Sequence, residues 1–272
     1  MQHAKNEAQN RVKHDLQAAR KAALGSQSPR ARGAEKEQRS LRWIYRWGWS
    51  TPSIIDEVAD HSAGGYARRL ASKGLVQIQE TGSGGAKNHP ARVVGLTRAG
   101  RAQVESSIEN PNDLRDYHGL RRVRWQQLLH DAMVQSAVLR AIQSGRFSDY
   151  LTPHEIAEKQ TLGRKEPDAV LTEKESGYTY AVELELSAKT GRRLDEFVHG
   201  LSVLLHPESG DYDHAIIGTT SPAISARYRA RFREGEKMPI WKRDERGRPY
   251  LAATDVMPAW IEKKIIWNEV SL

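Results

Sequence analysis

Apolar and polar positions first fall into helical spacing at Leu41. Leu41, Trp43, Ile44, Tyr45 and Trp47 place aromatics on one side of a short helix. Thr51-Pro52 then reads as a cap followed by proline at the first helical position. The helix behind it, Ser53 to Ala59, buries Ile54, Ile55 and Val58. His61-Ser62 makes a turn. A third helix is predicted from about Gly64 to Lys73, with Gly74 as its left-handed cap. The period then changes from helix to strand. Leu75–Gln79 and Arg92–Leu96 form two strands around a glycine-rich basic loop, Thr81–Pro90, and Thr97 caps a helix running to about Ser107.

After the linker Asn110-Pro111-Asn112, apolar residues recur every three to five positions from Leu114 to Ile142. They predict one long helix, or two broken near Gly119. His130-Asp131 lies inside that helix, where a histidine reads as a packing residue. Glu166-Pro167 turns into a strand at Asp168–Leu171, and Glu175-Ser176-Gly177 is a hairpin turn. Residues 178–187 alternate with period two. Tyr178, Tyr180, Val182, Leu184 and Leu186 take one face, and Glu183 and Glu185 the other. A helix follows over Gly191–Leu205, then a strand at Asp213–Gly218. Ser221-Pro222 caps a basic helix to about Arg233, and Tyr250–Ala253 adds a last strand. The pattern is α/β (α+β).

Composition narrows the class. The 272 residues are 38% hydrophobic and 28% charged, and contain no cysteine. That suits a globular chain without disulfides or thiolate zinc sites. No apolar run reaches membrane-spanning length and no signal-peptide core opens the chain, so a cytoplasmic protein without membrane contact is expected. Residues 1–110 carry 18 Lys and Arg against 10 Asp and Glu, whereas residues 111–272 carry 24 against 24. The whole net charge of +8 therefore sits in the first part, as in a nucleic-acid-binding module joined to a neutral one. Residues 1–39 read as a basic flexible arm, either touching phosphates or only solubilising. Residues 40–110 and 111–272 read as two domains.

Helix, helix, helix, strand, loop, strand, helix over residues 40–106 resembles a winged helix-turn-helix. Two phrases carry the likeness, Ala67-Arg68-Arg69-Leu70-Ala71-Ser72-Lys73-Gly74-Leu75-Val76 and Leu96-Thr97-Arg98-Ala99-Gly100. The partner this implies is double-stranded DNA. The third helix would enter the major groove, with Ser62, Ala63, Gly64, Gly65 and Tyr66 nearest the base edges. Arg68, Arg69, Lys73 and Arg92 suit phosphates, as Lys87 and Asn88 on the wing suit the backbone or minor groove. Arg68 and Arg69 fit a solvated helix face equally well.

Two carboxylates at i and i+2 on a strand, with an aspartate on the neighbouring strand, can converge on a hard cation. An exposed strand face would carry the same residues. Pro167-Asp168, a 14-residue gap and Glu183-Leu184-Glu185 resemble the PD-(D/E)xK nuclease motif. That resemblance implies a restriction-endonuclease-like domain with Asp168 and Glu183 as ligands of Mg2+ or Mn2+, and Glu155 as a further acidic ligand from its first helix. The position of the motif lysine holds Glu185, so either Glu185 is another ligand or Lys189 reaches back to the site. Together the two domains resemble the replication-relaxation family, which includes MobC-type mobilisation relaxases. The resemblance implies a metal-dependent endonuclease or nickase in plasmid or mobile-element transfer or replication, with Asp168, Glu183, Glu185 and Lys189 catalytic and other mobilisation or replication proteins as partners. The alternative is a non-catalytic DNA-binding accessory factor or regulator on a degenerate nuclease fold, which Glu185 favours.

Overall fold

The computed structural model describes residues 28–82, 89–159 and 165–270. Helix α1, Pro29–Trp47, starts well before the expected Leu41. Ser28-Pro29, which reads as part of a flexible arm, is its start signal. The Ser28 hydroxyl accepts from the Ala31 N–H at 3.1 Å and Pro29 needs no partner for its nitrogen. Gly48, at φ 79°, ends the helix in the left-handed conformation. Helix α2, Pro52–Val58, is capped by Thr51 as its sequence predicts. Helix α3, Tyr66–Ser72, is capped by a residue outside its own segment: the Asp56 carboxylate accepts from the Gly65 and Tyr66 N–H groups at 3.1 and 2.6 Å.

Strands β1, Val76–Glu80, and β2, Arg92–Leu96, form an antiparallel pair. Helix α4, Arg98–Glu105, packs back on them. Here only glycine fits at position 100, because a Cβ would lie 2.0 Å from the Leu75 carbonyl oxygen. Residues 114–127 do not join the next helix. They form short 3-10 turns, with Gly119 at φ 58° and Val123 extended, and helix α5 begins only at Leu128 and runs to Gln143. Apolar spacing continues through this stretch because Leu120 covers Gly95 and Val123 is buried, not because the backbone is helical.

A five-stranded mixed sheet follows. Its strands are β3, Phe147–Leu151; β4, Ala169–Glu173; β5, Thr179–Glu185; β6, His214–Thr219; and β9, Ile265–Glu269, in spatial order β3-β4-β5-β6-β9. The β3, β4 and β5 neighbours run antiparallel, whereas β6 and β9 continue parallel to β5. Helix α6, Pro153–Lys159, follows β3; α7, Arg192–Leu204, and α8, Pro222–Arg231, come after β5 and β6. The expected final strand at Tyr250–Ala253 lies in a separate ribbon, β7, Lys237–Arg243, with β8, Pro249–Val256. The sheet's last strand is β9, which the sequence reading leaves out. No helix among the described residues is long and apolar enough to cross a membrane.

Strand β5 has apolar layers on both faces. Tyr180, Val182 and Leu184 enter a core shared with α1 to α5, while Ala181 enters a second core with α7 and α8. The first core runs without interruption from the N-terminal helices to the sheet. Trp43 and Trp47 of α1 lie against Tyr150 of β3, with ring centroids 5.2 and 6.1 Å apart. Gln135 of α5 is fully buried yet satisfied: its carbonyl accepts from Trp43 Nε1 and Ser50 Oγ, and its amide donates to the Trp49 carbonyl.

Glu155 completes this junction. Its carboxylate is 3% exposed, accepts from Arg46 Nε at 2.8 Å and from the Thr152 N–H at 2.5 Å, and also pairs with Arg115. Burial raises its pKa, but Arg46, Thr152 and Arg115 outweigh burial and hold it below the ordinary 4.5. Removing one partner of such a buried cluster leaves uncompensated charge. Glu155→Gln is therefore expected to cost about 3–5 kcal/mol in urea unfolding. The sign of the pH dependence follows from the lowered value. The Glu155 contribution is intact above about 4.5 and is lost as pH falls through the folded-state value, so acid should narrow the gap between wild type and Glu155→Gln.

Candidate functional site

The ladder between β4 and β5 stops at Ala169–Val182, followed by one further bond from the Asp168 N–H to the Val182 carbonyl at 2.9 Å. Strand β5 runs on to Glu185. Its next outward-facing residue on that edge, Leu184, therefore needs partners other than a strand. The Asp168 carboxylate accepts from the Leu184 N–H at 2.8 Å. His130 of α5 meets the Leu184 carbonyl at 3.1 Å through Nε2. The same nitrogen lies 3.3 Å from Asp168 Oδ2, and Nδ1 lies 3.1 Å from Asp131 Oδ1.

This geometry bears on the protonation of His130. A carbonyl oxygen can only accept, so Nε2 carries a proton, and the Asp131 carboxylate calls for another on Nδ1. Both ring nitrogens thus face acceptors, an arrangement that favours the doubly protonated ring. Burial works against its charge, but Asp131 and Asp168 overcome this and push its pKa up to about 10. For Asp168, burial raises the pKa, while His130, the Leu184 N–H and Lys165 bring it below the ordinary 3.8.

Glu183 and Glu185 project to the other face of β5, against α7 and α8, and both are buried. Lys165 Nζ is 2.5 Å from Glu183 Oε1 and 5.0 Å from the Phe197 ring centroid. Lys189 Nζ pairs with Glu185 and stands 4.8 Å from the same ring. The Tyr228 hydroxyl donates to Glu185 Oε2 at 3.1 Å and accepts from the Lys189 N–H. Burial pushes Glu183 up to about 7, with Lys165 opposing and Asp168 and Glu185 reinforcing the rise. Lys189 thus does reach back, but to Glu185. A cleft of about 750 Å3 opens over the Asp168 edge, lined by Arg46, Arg115, Arg124, His130, Glu166 and Asp168 among others.

Asp168, Glu183 and Glu185 therefore neighbour one another across the end of β4 and β5. Glu155 does not join them, since Arg46, Arg115 and Thr152 take its oxygens. Each of the three carboxylates at the strand end has a basic side chain of the chain beside it, but Glu183, raised to about 7, is the least compensated of them. Among the described residues no group of three or more His, Asp or Glu side chains comes together as a metal-holding set.

The expected DNA-contacting residues are placed as follows. Ser62, Arg68 and Arg69 are exposed at the turn before α3 and on α3 itself. Tyr66 is not: it is 4% exposed, packed with His61, and its backbone is capped by Asp56. Lys73 pairs with Glu37 of α1 at 2.5 Å, and Arg92 with Glu80 across the β1–β2 pair at 3.0 Å. Lys87 and Asn88 lie outside the described residues.

Of the cations at the site, sequence reasoning named Lys189 but missed Lys165 and gave His130 only a packing role. Lys165 stands three residues before Asp168, a visible signal. His130-Asp131 was visible too, but its role depends on α5 crossing the end of β5. Nothing local marks Tyr228. Comparison of the chain with family models, with curated proteins and with solved structures returns no match.

Because the folded His130 pKa lies above its ordinary 6.5, its stabilising contribution is full below about 6.5 and is lost as pH rises through about 10. The stability difference between wild type and His130→Asn should accordingly shrink over that window. A difference that stays constant would show that the ring is not charged in the folded state.

Proposed function

We propose that the chain is a non-hydrolytic DNA-binding factor, with a winged helix-turn-helix in residues 40–110 and a degenerate restriction-endonuclease-like unit in residues 111–272. It would serve as an accessory or regulator of mobilisation or replication machinery of the replication-relaxation kind. The observation that carries the DNA-binding reading is the order α2, turn, α3, β1–β2, α4 with Arg68 and Arg69 on the solvent side of α3. A helix presented in this way suits the major groove. With Tyr66 buried, His61 packed against it and only small residues from Ser62 to Gly65, few side chains remain to read bases there. Binding is then dominated by phosphates, which position the protein without reading sequence. The basic excess of residues 1–110 acts in the same direction.

The non-hydrolytic part rests on Asp168, Glu183 and Glu185 being paired with His130, Lys165 and Lys189. A carboxylate already satisfied by an internal cation is poorly placed to act on a phosphodiester.

Two measurements test the reading. Affinity for duplex DNA should fall steeply with salt, with a log–log slope near −0.9 per phosphate contact. Arg68→Ala together with Arg69→Ala should flatten that slope by about one to two units and weaken all sequences alike. An unchanged slope would remove α3 from the interface. Supercoiled plasmid incubated with the protein and Mg2+, Mn2+ or EDTA should yield no nicked circles. Nicking that needs Mg2+ or Mn2+ and disappears in Asp168→Asn would restore the nuclease reading instead.

A further inference from the structure

Two hard oxygens converge on one point at the end of β5, the Asp168 carboxylate and the Leu184 carbonyl. Oxygens arranged in this way ordinarily attract a cation. Here a ring nitrogen of the chain occupies that point. His130 Nε2 lies 3.3 Å from one oxygen and 3.1 Å from the other, and Asp131 holds the far side of the ring. A divalent ion at its usual 2.0–2.6 Å from oxygen would need the same space. The ring would have to leave, exposing Asp131 and breaking its contacts with both oxygens.

We propose that His130 is a built-in substitute for a divalent cation, holding Asp168 against Leu184 so that the end of β5 keeps its shape without metal. The proposal deepens the non-hydrolytic part of the function above and makes His130 a positioning residue. On the other face of the strand Lys165 and Lys189 balance Glu183 and Glu185, so the three carboxylates meet three cations of the chain. Displacement of His130 would leave Asp168 and the Leu184 carbonyl open on the cleft, a latent site for a hard divalent ion.

The test uses the full chain freed of divalent ions, titrated with Mn2+ and followed by the resonance signal of free Mn2+ and by thermal melting. Wild type should take up no Mn2+ that depends on Asp168, and its melting temperature should be the same in EDTA and in millimolar Mn2+. His130→Ala should melt lower in EDTA and recover with Mn2+ by mass action. The recovery should vanish in the double variant His130→Ala with Asp168→Asn. If His130→Ala does not fold, His130→Ser also leaves the space between the two oxygens open and should show the same Mn2+ gain. The proposal is overturned if wild type binds Mn2+ and Asp168→Asn abolishes that binding. It is overturned equally if a folded His130 variant gains no response to Mn2+. Duplex affinity of wild type, measured in the same samples, separates the two readings. Loss of DNA binding would end the functional proposal and leave the Mn2+ result standing.

Discussion

The buried Glu155 carboxylate is the point on which the two halves of the chain are joined. Arg46 comes from α1, Arg115 from the connecting stretch and the Thr152 N–H from the turn into α6. A carboxylate in that position is tolerable only because all three donors arrive together. Each of their elements is therefore held in one place relative to the others. Arg46 also lies 3.8 Å above the Tyr150 ring and donates to the Tyr150 carbonyl, tying the end of α1 to β3 as well. Around this cluster the aromatic packing of Trp43, Trp47 and Tyr150 and the satisfied amide of Gln135 form one continuous interior. The N-terminal helices, α3 with Arg68 and Arg69 among them, thus share one core with the sheet rather than hanging from a linker.

The same physical solution recurs at other buried or part-buried acids. Asp195 of α7 accepts from Arg231 and from Trp241 Nε1, which fastens the base of the β7–β8 ribbon. Asp168 has His130, Glu183 has Lys165 and Glu185 has Lys189. Desolvating a carboxylate is expensive, and an opposite charge with additional hydrogen bonds offsets it. A strand with glutamates at i and i+2 can sit in the middle of a sheet only under such conditions. Its alternation is what makes this workable. One parity enters the first core through Tyr180, Val182 and Leu184, and the other holds the acids against Phe197 and Tyr228.

Local chemistry was legible where a residue acts on its own neighbours. Thr51-Pro52, Thr97 and Ser221-Pro222 cap helices as their types demand, and the 178–187 alternation assigns the faces of β5 correctly. The proximity of Asp168 to Glu183 was legible for the same reason, since a hairpin turn between two strands sets which residues face each other. Ser28-Pro29 carried an equally local signal, but was absorbed into a basic stretch. Residues 114–127 show the limit of periodicity, since Leu120 and Val123 are buried at helical spacing while their backbone is not helical.

What only the tertiary structure decided is which charges meet. Arg46 and Glu155 are 109 positions apart, and His130 and Leu184 are 54. No spacing rule links such residues, because their approach depends on how α1 and α5 cross the sheet. From composition and pattern, the carboxylates 168, 183 and 185 could be counted but not balanced. The sequence by itself determined most helices and the strand pair of the first 110 residues, the hairpin of β4 and β5 with its faces, and the basic bias, all set by neighbours in the chain, whereas no local signal was read for β3, α6, β7 and β9. The raised pKa of His130 and the pairing of the acids followed from packing, because a buried ionisable group takes its state from whatever surrounds it in space.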